Sequence, residues 1–467
     1  MSDDGGPLWA GRFSSPPAPE AHALGSSIGF DERLASHDVA ASIAHARALE
    51  DAGLLDGADA DRLASALEDV GAAIAEGRFA FDDADEDVHS AIERGVTDRL
   101  GDLGARLHAG RSRNDLVMTD LRLWLREAAG AIEEDCRRLA LALVERAREH
   151  VTAVMPGTTH LRAAQPVSLG HHLCAHAWAL TRDRERLAQW SERASVCPLG
   201  AGALATSTLE LDAAATARRL GFGRPFENSL DAVSDRDVVQ EFLAFAAILA
   251  THASRLAADL ARWTDPMLGW AELDDAYATG SSMMPQKRNP DTAELVRAKA
   301  ARIAGDFAAV CAVLQGLPLG YHRDLQEDKE PAFDAADTLA LVLPALEGAV
   351  RTIRFDEAAM RAACEDEGLY ATDLTEALVR AGVPFREAHR RIGGLLRDLA
   401  DGGRTIHDLD EEEWSALGLE DGSSLLDPDR AVRARGGPGG PSASSVERQL
   451  AALDAILVPG GDLPTLP

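Results

Sequence analysis

The segment Gly280 to Asp291, GSSMMPQKRNPD, gathers side chains that could do chemistry together. Ser281 and Ser282 offer hydroxyls, Lys287 a flexible cation, and the flanking glycine and prolines a turn with free backbone donors. Lysine is scarce in this chain: Lys287, Lys299 and Lys329 stand against 44 arginines. A lysine retained in such a loop reads as required for itself, and a lysine beside backbone N–H groups suits an anion. The Gly-x4-Gly-Lys-Ser/Thr spacing of a nucleotide phosphate loop is absent. Asn289 followed by Pro290 also reads as a helix start, with Asn as N-cap and Pro in the first turn. That accounts for those two residues but not for the serines, the methionine pair or the lysine.

Other segments carry polar groups of defined type. HAGRSRND, residues 108–115, contains Ser112, Arg113 and Asn114, and the last two suit a carboxylate-bearing polar ligand. MPGTTHLRAAQP, residues 155–166, holds Thr159, His160 and Gln165; one histidine beside a Pro-Gly turn is ordinarily structural. In DEDVHSAIER, residues 85–94, Asp87 and His89 read equally as a helix cap and as neighbours of a bound ligand. LPLGYHRDLQEDKE, residues 317–330, reads as a solvated charge run but for its lysine, Lys329. His172 and His176 lie at i, i+4 on a helical pattern, but no glutamate of the HExxH kind accompanies them, so they read as hydrogen-bonding rather than metal-binding.

The 280s segment resembles the signature loop GSSxMPxKxNP of the fumarase/aspartase/argininosuccinate lyase superfamily. Three other segments resemble the argininosuccinate lyase family (HxGRSRNDQ, MPGYTHLQxAQP and YNxDLQEDKE) more than fumarase, aspartase or adenylosuccinate lyase. The resemblance runs from WAGRF at residues 9–13 to about Gln449. Leu116, Thr158, Arg162 and His322 stand where the family usually has Gln, Tyr, Gln and Asn, and none of these removes a residue the chemistry needs.

The resemblance implies a β-elimination that splits argininosuccinate into arginine and fumarate, the last step of arginine biosynthesis. A base takes a proton from the carbon beside a carboxylate, and the resulting dianion needs fixed donors and positive charge. The leaving guanidino nitrogen needs an acid. By the motifs, Ser281 (with Ser282 as the alternative) is the base, Lys287, Asn289 and Thr159 stabilise the dianion, and His160, paired with Glu294, is the acid. Ser27, Arg113, Asn114, Tyr321, Gln326 and Lys329 carry over as substrate ligands, with Asp87, His89, Ser112 and Gln165 as further neighbours. No cofactor and no metal are implied, since the substrate's own carboxylate is the electron sink. Another lyase of the superfamily, or a catalytically inactive relative, is the competing reading.

These motifs need a scaffold that brings distant segments together. Aromatic residues are only 5% and alanine is abundant, which favours helices over an aromatic sandwich. Met118, Leu121, Leu125, Ala128, Ile132, Cys136, Leu139 and Leu143 form one apolar stripe on a helix of about 30 residues, roughly 45 Å long. Further long helices are expected over 168–192, 238–263, 291–316 and 335–351, and shorter ones within 34–76, 88–100, 370–381, 384–399, 411–416 and 446–456. Few strands are expected. The fold class is all-α in three parts: an N-terminal domain (1–112), a central long-helix bundle with the signature loop (113–363) and a small C-terminal helical domain (364–467), with an extended arm over the first fifteen residues. Phe242 to Ala250 is apolar around the helix and needs cover on every side. The family resemblance supplies that cover as a homotetramer whose active sites are shared between subunits.

The net charge of −30 argues against nucleic acid and against an anionic membrane surface. It also reads as adaptation to high salt. Five scattered cysteines without a CxxC pair fit a reducing cytosol. No secretion signal is read at the start, and the longest apolar run is shorter than the roughly 20 residues of a membrane span. The expected location is cytoplasmic.

Overall fold

The computed structural model describes residues 18–82 and 85–458. The WAGRF segment and the expected N-terminal arm, up to residue 17, lie outside the described residues. The protein is mostly helical. In chain order the principal elements begin with α1 (Ala35–Asp51), α2 (Gly57–Ala75), α3 (Val88–Leu100) and α4 (Arg113–Glu149). The strands β1 (Val154–Thr159) and β2 (Arg162–Ser168) follow, then α5 (Leu169–Ala194) and α6 (Asp237–Trp263). Next come β3 (Thr279–Gly280), β4 (Arg288–Asn289), α7 (Asp291–Leu314) and α8 (Lys329–Thr352). Shorter helices α9 (Ala371–Arg380), α10 (Phe385–Asp401), α11 (Glu411–Ala416) and α12 (Ala443–Leu457) complete the chain.

The chain forms two compact units, each assembled from separated segments. One comprises the described residues up to Ile132 with Arg186–Ala247 and Ala301–Leu339; the other comprises Glu133–Glu185, Ile248–Ala300 and the described residues from Ala340 onward. Every boundary falls inside one of the long helices α4 to α8.

Helix α4 runs for 37 residues, longer than its stripe suggests. The stripe residues from Met118 to Leu143 are buried, except Ala128, which is half-buried. Its extra turn at the start comes from capping: the Ser112 N–H donates to Asp115 Oδ1 at 2.9 Å, and the Leu116 N–H donates to the Ser112 carbonyl. Helix α6 is long and apolar enough to cross a membrane by length and composition, although no single run in it reaches that length. Half of its most apolar stretch is buried, with Phe242, Leu249 and Trp263 in the core, while Ile248 is exposed.

The first unit packs Leu116, Cys197, Leu199, Ala217 and Phe222 together, and the Trp190 indole N–H donates to the Val238 carbonyl at 2.8 Å. The second unit has its own core around Leu369, Tyr370, Leu374, Leu378, Ile392 and Trp414.

The antiparallel hairpin β1–β2 is the one substantial piece of sheet among the described residues, and the sequence analysis did not foresee it. Its register pairs Val154 with Ser168 and Thr159 with Arg162, with an irregularity between Gly157 and Thr158. Gly157 is required there, because a Cβ would stand 2.8 Å from the Gln165 carbonyl oxygen.

Candidate active site

In the first unit, a charged network gathers Ser27, Asp87 and Arg113, all singled out from the sequence. Asp87 caps α3, accepting from the Ser90 N–H at 2.7 Å, and it also accepts from Arg113 Nη1 at 2.8 Å. Asp87 is thus a helix cap that also anchors an arginine. Burial works against its charge, but His89 and Arg113 hold the carboxyl below the usual range. Glu86 sits between Arg113 at 3.4 Å and Arg323 at 2.7 Å, and its carbonyl accepts from the Ser27 N–H at 2.8 Å. The Ser27 hydroxyl donates to Asp31 Oδ2 at 2.6 Å, and the other Asp31 oxygen accepts from the Val88 N–H.

Ser112 and Asn114 flank Arg113. Asn114 Nδ2 donates to the Ala203 carbonyl at 2.9 Å, and buried Asp115 accepts from the Gly200 and Gly202 amides at 3.0 and 2.8 Å. The start of α4 is thereby tied to the loop through residues 200–203. His89 is buried rather than open to a ligand. Its Nδ1 lies 2.6 Å from Asp38 and 3.3 Å from Asp120. Burial disfavours its charge, but hydrogen bonds with Asp120 and Asp38 prevail and hold the imidazole protonated well above the ordinary range.

Lys329 also differs from expectation. It is 2% exposed, and its Nζ bonds Asp328 Oδ1 at 2.9 Å, so the fold already supplies a carboxylate. The other Asp328 oxygen accepts from buried Arg236. Burial opposes the Asp328 charge, but Lys329 and Arg236 outweigh it and keep the carboxyl below its usual range. Half-buried Tyr321 feels this cluster: burial, then the Asp328 charge, pushes its hydroxyl up. Gln326 is half-buried on the same turn, which runs from Arg323 to Asp328.

In the second unit the signature loop is a short ladder. Thr279 pairs with Asn289 and Gly280 with Arg288. Arg288 fastens its base, donating to the Leu273 carbonyl at 2.9 Å and to Asp275 at 2.6 Å and pairing with Glu272. Asn289 is therefore a ladder residue whose Nδ2 reaches the Gly280 carbonyl at 3.4 Å. It is not the expected N-cap: α7 begins at Asp291, and the Glu294 N–H donates to the Pro290 carbonyl. Between the strands, half-buried Ser281 accepts from the Met283 and Met284 N–H groups at 3.3 and 3.1 Å. Two donors on one hydroxyl oxygen stabilise negative charge there. Residues 282–288 are all exposed. A cleft of about 780 Å³ adjoins the loop and is lined by Lys287, Asn289 and Glu294 among others.

His160 sits at the tip of the β1–β2 hairpin. The Thr159–Arg162 pair closes a two-residue turn in which His160 and Leu161 have φ of 53° and 59°. Such turns are normally made by Asn-Gly, so two ordinary residues here are strained, as groups held for function often are. His160 and Thr159 are exposed and Gln165 is half-buried. Among the described residues no hydrogen bond or ion pair joins His160 to Glu294; Glu294 instead faces Arg297 at 3.9 Å.

The structure thus brings together Ser27, Asp87, Arg113 and their neighbours in one set, and Ser281, Lys287, Asn289 and Glu294 in another. Sequence reasoning missed Glu86, Arg236, Arg323 and Asp328. The signal available was an Arg-Asp step beside a helix start at 236–237 and the acidic residues flanking Lys329. It also missed Asp259 on α6, whose Oδ2 accepts from both His172 and His176, at 2.8 and 2.9 Å. These three could also hold one cation between them.

Comparison with known proteins places the chain in a family. A lyase family model matches residues 11–305, and an argininosuccinate lyase C-terminal model matches residues 368–433. The argininosuccinate lyase of Frankia casuarinae is 51% identical, over 96% of this chain and 98% of its own length. That of Symbiobacterium thermophilum is 47% identical over 96% and 98%. Among solved structures, an EDDS lyase in complex with formate is 28% identical and superposes with a TM-score of 0.83, covering 95% of this chain and 91% of that one. A class II fumarase from Schistosoma mansoni, 15% identical, shares the fold with a TM-score of 0.73 over 86% and 91%. With relatives this similar over nearly its whole length, the chain belongs to the argininosuccinate lyase family of the fumarase/aspartase superfamily.

Proposed function

We propose that the protein is a carbon–nitrogen lyase that cleaves argininosuccinate to arginine and fumarate, serving arginine biosynthesis. The observation that carries the chemistry is Ser281, whose oxygen accepts two backbone amides in a loop that also presents Lys287. Those amides favour the alkoxide, which removes the proton beside the substrate carboxylate. Lys287, Asn289 and Thr159 receive the dianion that forms. His160, with Glu294 as its carboxylate partner, protonates the departing guanidino nitrogen. The Arg113 network and the Asn114, Tyr321 and Gln326 side chains hold the substrate's polar ends, and Lys329 contributes through the charge balance it sets with Asp328. No cofactor enters the reaction. Fumarate absorbance on adding argininosuccinate, with adenylosuccinate as the control substrate, tests this reading: release from the control alone overturns it.

The active unit is a homotetramer in the cytoplasm, with each site drawn from several subunits and each chain laid out as an N-terminal domain, a central bundle and a C-terminal helical domain. Two features support the sharing. No hydrogen bond or ion pair joins His160 to Glu294 among the described residues, and Leu295 and Leu341 are exposed on long helices. A charge of −30 per chain opposes assembly unless it is screened. The Debye length is about 3 Å at 1 M salt and about 10 Å at 0.1 M. Activity and tetramer mass are therefore expected to fall together on dilution from molar to about 0.1 M salt, read by sedimentation and fumarate assay on one dialysis series. A full-activity tetramer at low salt removes salt adaptation as the reason for the acidity.

A further inference from the structure

The chain separates its oxidisable side chains sharply. Met118, Met155 and Met360 are fully buried, whereas Met267 is 90% exposed, Met283 88% and Met284 40%. Four of the five cysteines are poorer targets. Cys136, Cys174, Cys197 and Cys364 are buried, and burial pushes the Cys174, Cys197 and Cys364 thiols up to about 12. A thiol reacts with peroxide as its thiolate, so these are protected. A thioether needs no ionisation, only access.

Two of the exposed methionines lie inside the signature loop. The Met283 and Met284 N–H groups are the donors to Ser281 Oγ, so whatever rearranges these two residues rearranges the hydroxyl. We propose that Met283 and Met284 form a reversible oxidation site that switches this loop off. Each sulfur gives two electrons to a hydroperoxide: the O–O bond breaks, one oxygen bonds to sulfur, and the other leaves as water or alcohol. The sulfoxide is a strong acceptor in place of an apolar sulfur. It competes with Ser281 Oγ for the loop's own N–H groups and for the Lys287 ammonium, and it resists packing of Met284 into a closed loop. Methionine sulfoxide reductases, one for each epimer, return the thioether.

This inference rests on the lyase reading of the loop, and its test separates the two. Untreated protein is first assayed for fumarate release; no release from argininosuccinate refutes the lyase reading, whatever oxidation does. The same protein is then titrated with hydrogen peroxide, with peptide mass mapping and fumarate assay on each sample. Expected is oxygen gained at residues 267, 283 and 284 before the buried methionines, with activity falling in step with 283 and 284. The loss is at least about tenfold, since misplacing a reacting group by ~1 Å costs on the order of 10²-fold. The two reductases restore activity. The treated-to-untreated activity ratio stays near one in a Met283→Leu/Met284→Leu variant and falls as in the parent in Met267→Leu. The inference is overturned if active enzyme keeps its rate with 283 and 284 oxidised, if those residues resist peroxide that oxidises Met267, or if the double variant is as sensitive as the parent.

Discussion

The Arg113 network of the first unit and the signature loop of the second face opposite physical problems. In the first, Asp87, Glu86, Arg113 and Arg323 are interlocked by ion pairs between 2.7 and 3.4 Å, and Asp328 sits buried between Arg236 and Lys329. Groups so placed are ordered before any ligand arrives, and the fold bears their desolvation. In the second, seven consecutive residues from Ser282 are exposed, and the Ser281 hydroxyl is held by two long hydrogen bonds to its own loop. Little packing energy is invested there, so ligand contacts must supply the ordering. The contrast teaches that order and exposure are kept apart: rigid charge in one place, a lightly held loop in another.

Mutations can break that contrast. The largest effect is expected from Ser281→Ala, which should lower turnover by about 10⁴-fold while changing stability by less than about 0.5 kcal/mol. Fumarate assay and denaturant unfolding on the same sample check both halves. Comparable loss from Ser282→Ala, with Ser281→Ala active, moves the base by one residue.

Asp328→Asn should do the reverse and act first on the fold. It leaves Arg236 and Lys329 as buried like charges, for a cost of about 3–5 kcal/mol. The sign with pH follows. The folded Asp328 carboxyl lies below its ordinary range, so the folded state binds fewer protons than the unfolded one. Its contribution is fully present above about pH 4 and is lost as pH falls through the folded value. Urea unfolding of parent and variant across the acid range should show this difference shrinking; a constant difference sinks the assignment.

A smaller effect, about 10²-fold in turnover, is expected for His160→Asn at the hairpin tip. On the proposed pairing of the two residues, Glu294→Gln should move the arm of the pH–rate profile set by His160 to lower pH. An unmoved profile separates the two residues.

Much of the helical scaffold was legible because burial follows the 3.6-residue period, and the Val88–Leu100 and Glu411–Ala416 helices match their expected bounds. The β1–β2 hairpin was not, because its turn uses His160 and Leu161 in place of the Asn-Gly that would have announced it. The motifs located Ser281, Lys287, Asn289 and Arg113 but not what holds them. Glu86, Arg236 and Asp328 act through partners tens to hundreds of positions away, and no local spacing encodes such pairs. His89 shows the same limit: beside Asp87 in sequence, it turns inward to Asp38 and Asp120.

The scarcity of lysine gives the exposed loop a second identity, as an electrophile's address. Of the three side-chain amines, Lys329 is sealed against Asp328, Lys299 is half-covered on α7 and Lys287 stands in open solvent. An acylating reagent of modest reactivity therefore meets few competing amines, and the most open of them lies in the signature loop. Acylation there removes the cation without touching the fold. In a chain with 44 arginines, which such reagents spare, one amine reports on the whole site.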